Sequence, residues 1–146
     1  VSGPQTARRD IAALLALIEA RRDWAHAWTR GRDCVSFALR CVEAQTGVDL
    51  LADIPAWRDR REARQVTHDL GGLTAALDER LDPIAPALAQ RGDVAALAEP
   101  TFGIRLMVIE GETMVGPGDR GLERLLRYAM IRSWSIASLI GEARRG

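Results

Sequence analysis

The sequence predicts an α+β fold in which helices come first and a small antiparallel sheet follows. Two observations carry this. Apolar residues recur at helical spacing as far as Leu81, then give way after Arg91 to short runs of strand-forming residues. The turn signal Glu110-Gly111 separates two of those runs as a hairpin would. The length of 146 residues is one domain's worth of chain, and a hydrophobic fraction of 47% is too high for a disordered one.

The first helix is expected from about Thr6 to His26, with Ile11, Leu14, Leu15 and Ile18 on one stripe. Gly31 breaks it. Asp33 is a good N-cap for a second helix, Cys34 to about Thr46, which Gly47 ends. The apolar face of that helix is Val35, Ala38, Leu39 and Val42, with Phe37 and Cys41 beside it. Val48 to Pro55 reads as a loop or one short turn. Asp59–Leu70 and Leu73–Leu81 read as two helices split by Gly71-Gly72, and Asp82 to Pro86 as an extended connector. Val94–Ala98, Phe102–Ile109 and Glu112–Val115 are expected strands. Gly116 to Gly121 reads as a loop. Leu122–Met130 suits a helix and also a strand, Ile131–Ile136 has a strand-like mix, and a short helix is expected after Ala137.

Charge removes several functions. Twenty basic and 20 acidic residues give zero net charge, which argues against a dedicated nucleic-acid binder and against a polybasic membrane-surface protein. Every basic residue is Arg, and there is neither Lys nor Asn. That excludes a Lys Schiff base, a phosphate-loop Lys and an Asn-dependent triad. With 23 Ala, the bias suggests a GC-rich coding genome, bacterial or phage. The longest apolar run, Ile11–Ile18, falls far short of the ~20 residues that span a bilayer. The Val-Ser-Gly-Pro-Gln-Thr start does not read as a signal peptide. Cys34 and Cys41, on one helix, have Cα atoms ~10.5 Å apart by helical rise, too far for a disulfide. With only His26 and His68 to join them, the spacings fit no zinc pattern. No metal and no cofactor are expected.

Few motifs carry chemistry. Gly116-Pro117-Gly118-Asp119-Arg120-Gly121 matches G-x-G-x-x-G, but too little chain follows it for a nucleotide-binding sheet, and a plain glycine turn is the expected role. Cys34 has the sharpest functional reading, because a helix N-terminus favours a thiolate. Its plainer role is a small buried hydrophobe, and Asp33 opposes ionisation. A thiolate nucleophile needs a base, and His26 and His68 each read more simply as surface or capping residues. Trp24, Trp28, Trp57 and Trp134 read as core and rim packing. The net +2 run Arg58 to Arg64 reads as a solvated helix face.

Several segments in order carry a resemblance: Asp23-Trp24, Gly31-Arg32-Asp33-Cys34, the run from Glu43 to Asp49, Gly71-Gly72, the run from Ala89 to Val94, Phe102-Gly103-Ile104 and the run from Arg132 to Ile136. Together they resemble an uncharacterised family encoded in tail regions of phages and prophages. That family in turn resembles a divergent branch of the NlpC-type papain-like peptidases, which cut peptidoglycan stem peptides. The resemblance spans roughly Asp23 to Ile136. It implies a single domain over 1–146, with an N-terminal helical extension at 1–22, a papain-like core at 23–136 and a tail at 137–146.

Under that resemblance Cys34 takes the nucleophile position and Gly92-Asp93 opens the first strand. The catalytic histidine position reads Thr101, and no His follows His68. The polar third member has no clear candidate in Glu112 to Val115. Without a His the thiol lacks a base and the leaving amine lacks an acid. The expectation is therefore a structural protein of a phage or phage-like tail tip or baseplate, made in the bacterial cytoplasm and resident in the virion. Cys34 is then a vestigial nucleophile. The partners expected are other tail proteins (hub, distal tail or tip), with no nucleic acid and no membrane. Two alternatives stand beside it. One is an active peptidase or amidase acting on peptidoglycan through Cys34, with His26 or His68 as a relocated base. The other is a plain cytoplasmic binding protein.

Overall fold

Asp10 starts the first helix: its carboxylate accepts the Ala13 N–H at 2.9 Å, and α1 runs Ile11–Arg21. The structure, a computed structural model, describes residues 8–28 and 31–140. The start expected at Thr6 lies outside those residues, as do Thr29 and Arg30 of the expected break; Gly31 and Arg32, its other two residues, form a turn. The C-terminal half of the expectation is corrected. The helix stops at Arg21 because the chain turns there to meet the sheet: the Arg22 carbonyl accepts the Leu122 N–H at 2.8 Å, and the His26 N–H donates to the Gly118 carbonyl at 2.8 Å. Tertiary pairing overrides helical propensity at this point.

The remaining helices are α2 (Cys34–Thr46), α3 (Arg60–Asp69) and α4 (Leu73–Arg80). Gly47 closes α2 in the left-handed conformation, φ 80°. Asp59 caps α3 by accepting from the Glu62 N–H. Strands β1 (Asp82–Ile84), β2 (Val94–Glu99), β3 (Gly103–Ile109), β4 (Thr113–Gly118), β5 (Gly121–Leu126) and β6 (Arg132–Ser135) form one antiparallel sheet in the order β1-β6-β2-β3-β4-β5.

Four expectations change here. The connector Asp82 to Pro86 contains an edge strand, which tolerates Pro83 because it pairs only with β6. The expected loop 116–121 is mostly strand: β4 continues to Gly118, and Asp119-Arg120 alone turn the chain into β5. The ambiguous 122–130 segment is strand to Leu126, then a 3-10 turn at Arg127–Ala129. The tail helix is a single 3-10 turn, Ala137–Leu139.

All four helices contribute to the core on one face of the sheet. Leu14, Phe37, Leu39, Leu77, Leu106 and Trp134 are among the most buried side chains there. Leu14 and Ile18 belong to this core, so α1 packs on its own domain. The Trp134 indole N–H donates to Asp78 at 2.8 Å, tying β6 to α4. A smaller cluster of Ala95, Met107, Ile109, Met114 and Met130 lies on the opposite face. Arg127 closes that face by donating to the carbonyls of Ala89, Pro86 and Gly111. The fold is thus mixed helix and antiparallel sheet, as the sequence predicts. Among the described residues no helix is long and apolar enough to cross a membrane.

Candidate functional site

The first residue of α2 is Cys34, and the helix is aimed at a split in the sheet. β3 pairs with β2 from Gly103 to Val108 but with β4 only at Val108↔Val115 and Ile109↔Met114. Below those pairs the two strands part. The Leu106 N–H donates instead to Cys34 Sγ at 3.5 Å. Arg105 spans the same gap, its guanidinium donating to the Pro117 carbonyl at 2.7 Å and pairing with Glu123.

The helix terminus that would favour a thiolate is already occupied. Asp33 is 3% exposed, and its Oδ2 accepts the N–H groups of Val35 and Ser36, both at 3.1 Å. Its Oδ1 accepts the Ser36 hydroxyl at 2.6 Å, and Ser36 Oγ accepts the Gly31 N–H. The free amides of the first turn therefore face a carboxylate of the protein's own. Burial raises the Asp33 pKa, opposed by its bonds to Ser36. Burial also pushes the Cys34 thiol up to about 11, with the Asp33 charge raising it further and the Leu106 N–H and Arg105 lowering it. Cys41 is fully buried and its thiol is pushed up by burial. Both cysteines are free.

Neither histidine reaches the sulfur by a hydrogen bond. His26 is half-buried, with its ring edge-on to Trp28 at 4.6 Å. Burial lowers its pKa, and Arg105 lowers it further against the opposing charges of Asp33 and Asp119. It stands near the Asp33 side of the site. His68 is on the solvent side of α3, its side chain 85% exposed beside Asp69. Thr101 lies in the β2–β3 turn, where its hydroxyl accepts from Arg60 at 2.9 Å and its N–H donates to Glu99. Cys34 lines an apolar cavity of about 180 Å³ whose β2–β3 wall is Glu99, Phe102, Ile104 and Arg105; Thr101 is not part of that wall. Arg105 and the Leu106 amide are the neighbours that sequence reasoning missed. No spacing signal marks them, because the strand split that exposes them is a property of pairing.

The glycine motif has a packing role. A Cβ on Gly121, whose φ is +135°, would stand 2.5 Å from the Arg22 carbonyl oxygen, so the turn lets the 22–26 segment lie against β5. Trp24 sits at the rim beneath Arg21 and Arg32, while Trp57 and Trp134 are buried. Among the described residues, no three His, Cys, Asp or Glu side chains converge to hold a metal ion.

The model of a family described as a domain of unknown function (DUF6950) matches residues 7–136. Among solved structures the chain is similar to the NlpC/p60 domain of the peptidoglycan hydrolase SagA, at 17% identity and a TM-score of 0.57. That match covers 86% of this chain and 98% of the other. At such identity the likeness establishes a divergent NlpC-like, papain-like fold and nothing of its chemistry. No curated protein matches the chain.

Proposed function

We propose, for a chain that belongs to the DUF6950 family and folds as an NlpC/p60-like domain, that it is a structural protein of a phage or phage-like tail tip or baseplate whose inherited peptidase site no longer works. One observation carries the loss of chemistry. The thiol at the helix start takes its hydrogen bond from a backbone amide, Leu106 N–H, and none from a histidine. A thiolate nucleophile needs a partner that removes its proton and returns it to the leaving amine. Arg105, the charged side chain across the gap, cannot accept a proton. Asp33 does not substitute, because both its oxygens are bound within the helix start.

The tail assignment rests on the ordered sequence segments described above. In that role the domain binds other tail proteins, sits in the virion and uses no cofactor. Purified peptidoglycan and synthetic stem peptides test the loss of chemistry: the expected result is no cleavage above that of Cys34→Ala. Mass spectrometry of purified particles tests the location. The protein is expected in the particle, and its confinement to the lysate would overturn the tail role.

A second reading keeps the enzyme alive, as a cysteine peptidase or amidase with a relocated base. The position of His26 near Asp33 favours it over any version using His68. It requires the imidazole to move into bonding distance of Cys34. Cleavage abolished by both Cys34→Ala and His26→Ala would establish it.

A further inference from the structure

We infer that the cavity behind Cys34 is a binding site for one compact apolar group, aromatic or branched, somewhat larger than benzene. The inference does not depend on the tail role or on the fate of the thiol. The cavity holds about 180 Å³. An engineered apolar cavity of about 150 Å³ in another protein stays dry and takes up benzene. Its walls are mostly hydrocarbon, with Leu39 from α2, Ile54 from the following loop, Val66 from α3 and Leu73 and Leu77 from α4, and on α3 and α4 polar side chains only from Thr67 and Arg80.

The space exists because two inward positions carry the smallest side chain that a helix tolerates well. Ala63 on α3 and Ala76 on α4 both line it and are 8% and 2% exposed. Larger residues there would fill it, and protein interiors are ordinarily packed without such gaps. Trp57 and Arg80 complete the lining: Trp57 is 6% exposed in the core, and Arg80 ties the end of α4 to the Ala76 carbonyl and to Asp53. At the opening the character changes. Trp28 stacks on Phe102 at 5.0 Å, with Arg60 over the Trp28 ring, and Glu99, Arg105 and Cys34 line the cavity with them. An occupant would bury its apolar body among the helices and leave any polar end between charged groups at the mouth. Water is a poor occupant of the interior, which offers it few of the polar partners it needs.

The test is an amide-resolved NMR titration of the whole chain with indole, with glycerol as a polar control. The expected result is saturable shifts centred on α3, α4 and the start of α2, with no response to glycerol. Ala76→Leu, which fills the space, should weaken indole binding about tenfold or more. Ala63→Val is the milder variant and carries the test if Ala76→Leu does not fold. Absence of saturation up to the solubility of indole, or binding unchanged in the folded filling variants, overturns the proposal. Repeating the titration with N-acetyltryptophanamide identifies the source. Tighter binding of the amide supports an apolar side chain presented on a polypeptide, and tighter binding of indole supports a free small molecule.

Discussion

Alkylation of Cys34 as a function of pH reads the electrostatics of the site directly. Burial, with Asp33 adding to it, places the thiol at about 11. At pH 8 such a thiol is ionised to roughly one part in 1,000, whereas a free thiol near 8.5 is ionised to roughly one part in four. Iodoacetamide reacts with the thiolate, so Cys34 should react about 200-fold more slowly than free cysteine at pH 8, before any steric obstruction. The rate should climb about tenfold per pH unit from 7 to 10 without a plateau. The assay is mass-spectrometric, on a Cys41→Ala variant so that only one thiol reports. The same ionisation links to stability. The folded pKa lies above the reference value of 9.0, so its contribution is intact below pH 9 and is lost as pH rises towards 11. The loss is on the order of 2–3 kcal/mol. A rate plateau below about pH 7 would refute the reasoning, because it would mean a stabilised thiolate and an active-site environment.

Asp93 is fully buried and accepts from Arg9, from the Ile136 N–H and from the Gln90 N–H, at 2.7, 3.1 and 2.7 Å. Asp93→Asn should cost about 3–5 kcal/mol in urea denaturation, since Arg9 is left as a nearly buried unpaired charge. Asp33→Ala removes the α2 cap and should cost about 1–2 kcal/mol by the same measurement. Gly121→Val forces a side chain onto the Arg22 carbonyl and should lower the melting temperature in calorimetry, while Asp119→Ala in the adjacent turn should not. His26 has its pKa lowered in the fold, chiefly by burial. Its contribution to stability is present above about pH 6.5 and declines as pH falls through that value, a slope that His26→Phe should remove from a pH series of denaturation midpoints.

Local chemistry made most elements readable. Asp33 and Gly47 bracket α2 in the sequence as they do in the structure, because caps act through the neighbouring backbone alone. Val94 and Ile109 sit in strands for a similarly local reason, an apolar run bounded by turn signals. What escaped is set by partners distant in sequence. Arg22 to His26 carries good helix formers, yet their backbone meets Gly118 and Leu122. Gly116 to Gly118 looks like a loop, yet it pairs with Gly121 to Glu123, where neighbouring segments need the absence of side chains. The site divides in the same way. Cys34 at a helix start is legible from spacing, whereas Arg105 and Leu106 become its neighbours only because β4 leaves β3 after two residue pairs.

That divergence of strands bears on the inactivity proposed for the thiol. Opening β3 away from β4 leaves backbone groups to satisfy, and the groups around the sulfur are already engaged. The Leu106 N–H turns to the sulfur and holds it as an acceptor. The Arg105 guanidinium, whose charge lowers the thiol pKa, is held by the Pro117 carbonyl and matched by Glu123. The amides at the start of α2 go to Asp33 rather than to the sulfur. A thiolate at Cys34 would keep the Leu106 N–H as its donor, but it would form beside the Asp33 carboxylate in a place where burial already disfavours charge. If the site is inactive as proposed, one added histidine should not restore it. Placed at position 101, an imidazole would start from a turn whose side chain now faces Arg60 and lies outside the cavity wall beside the sulfur. Thr101→His alone should leave stem peptides uncut, and cleavage by that single variant would show that the helix start and the strand gap are permissive after all.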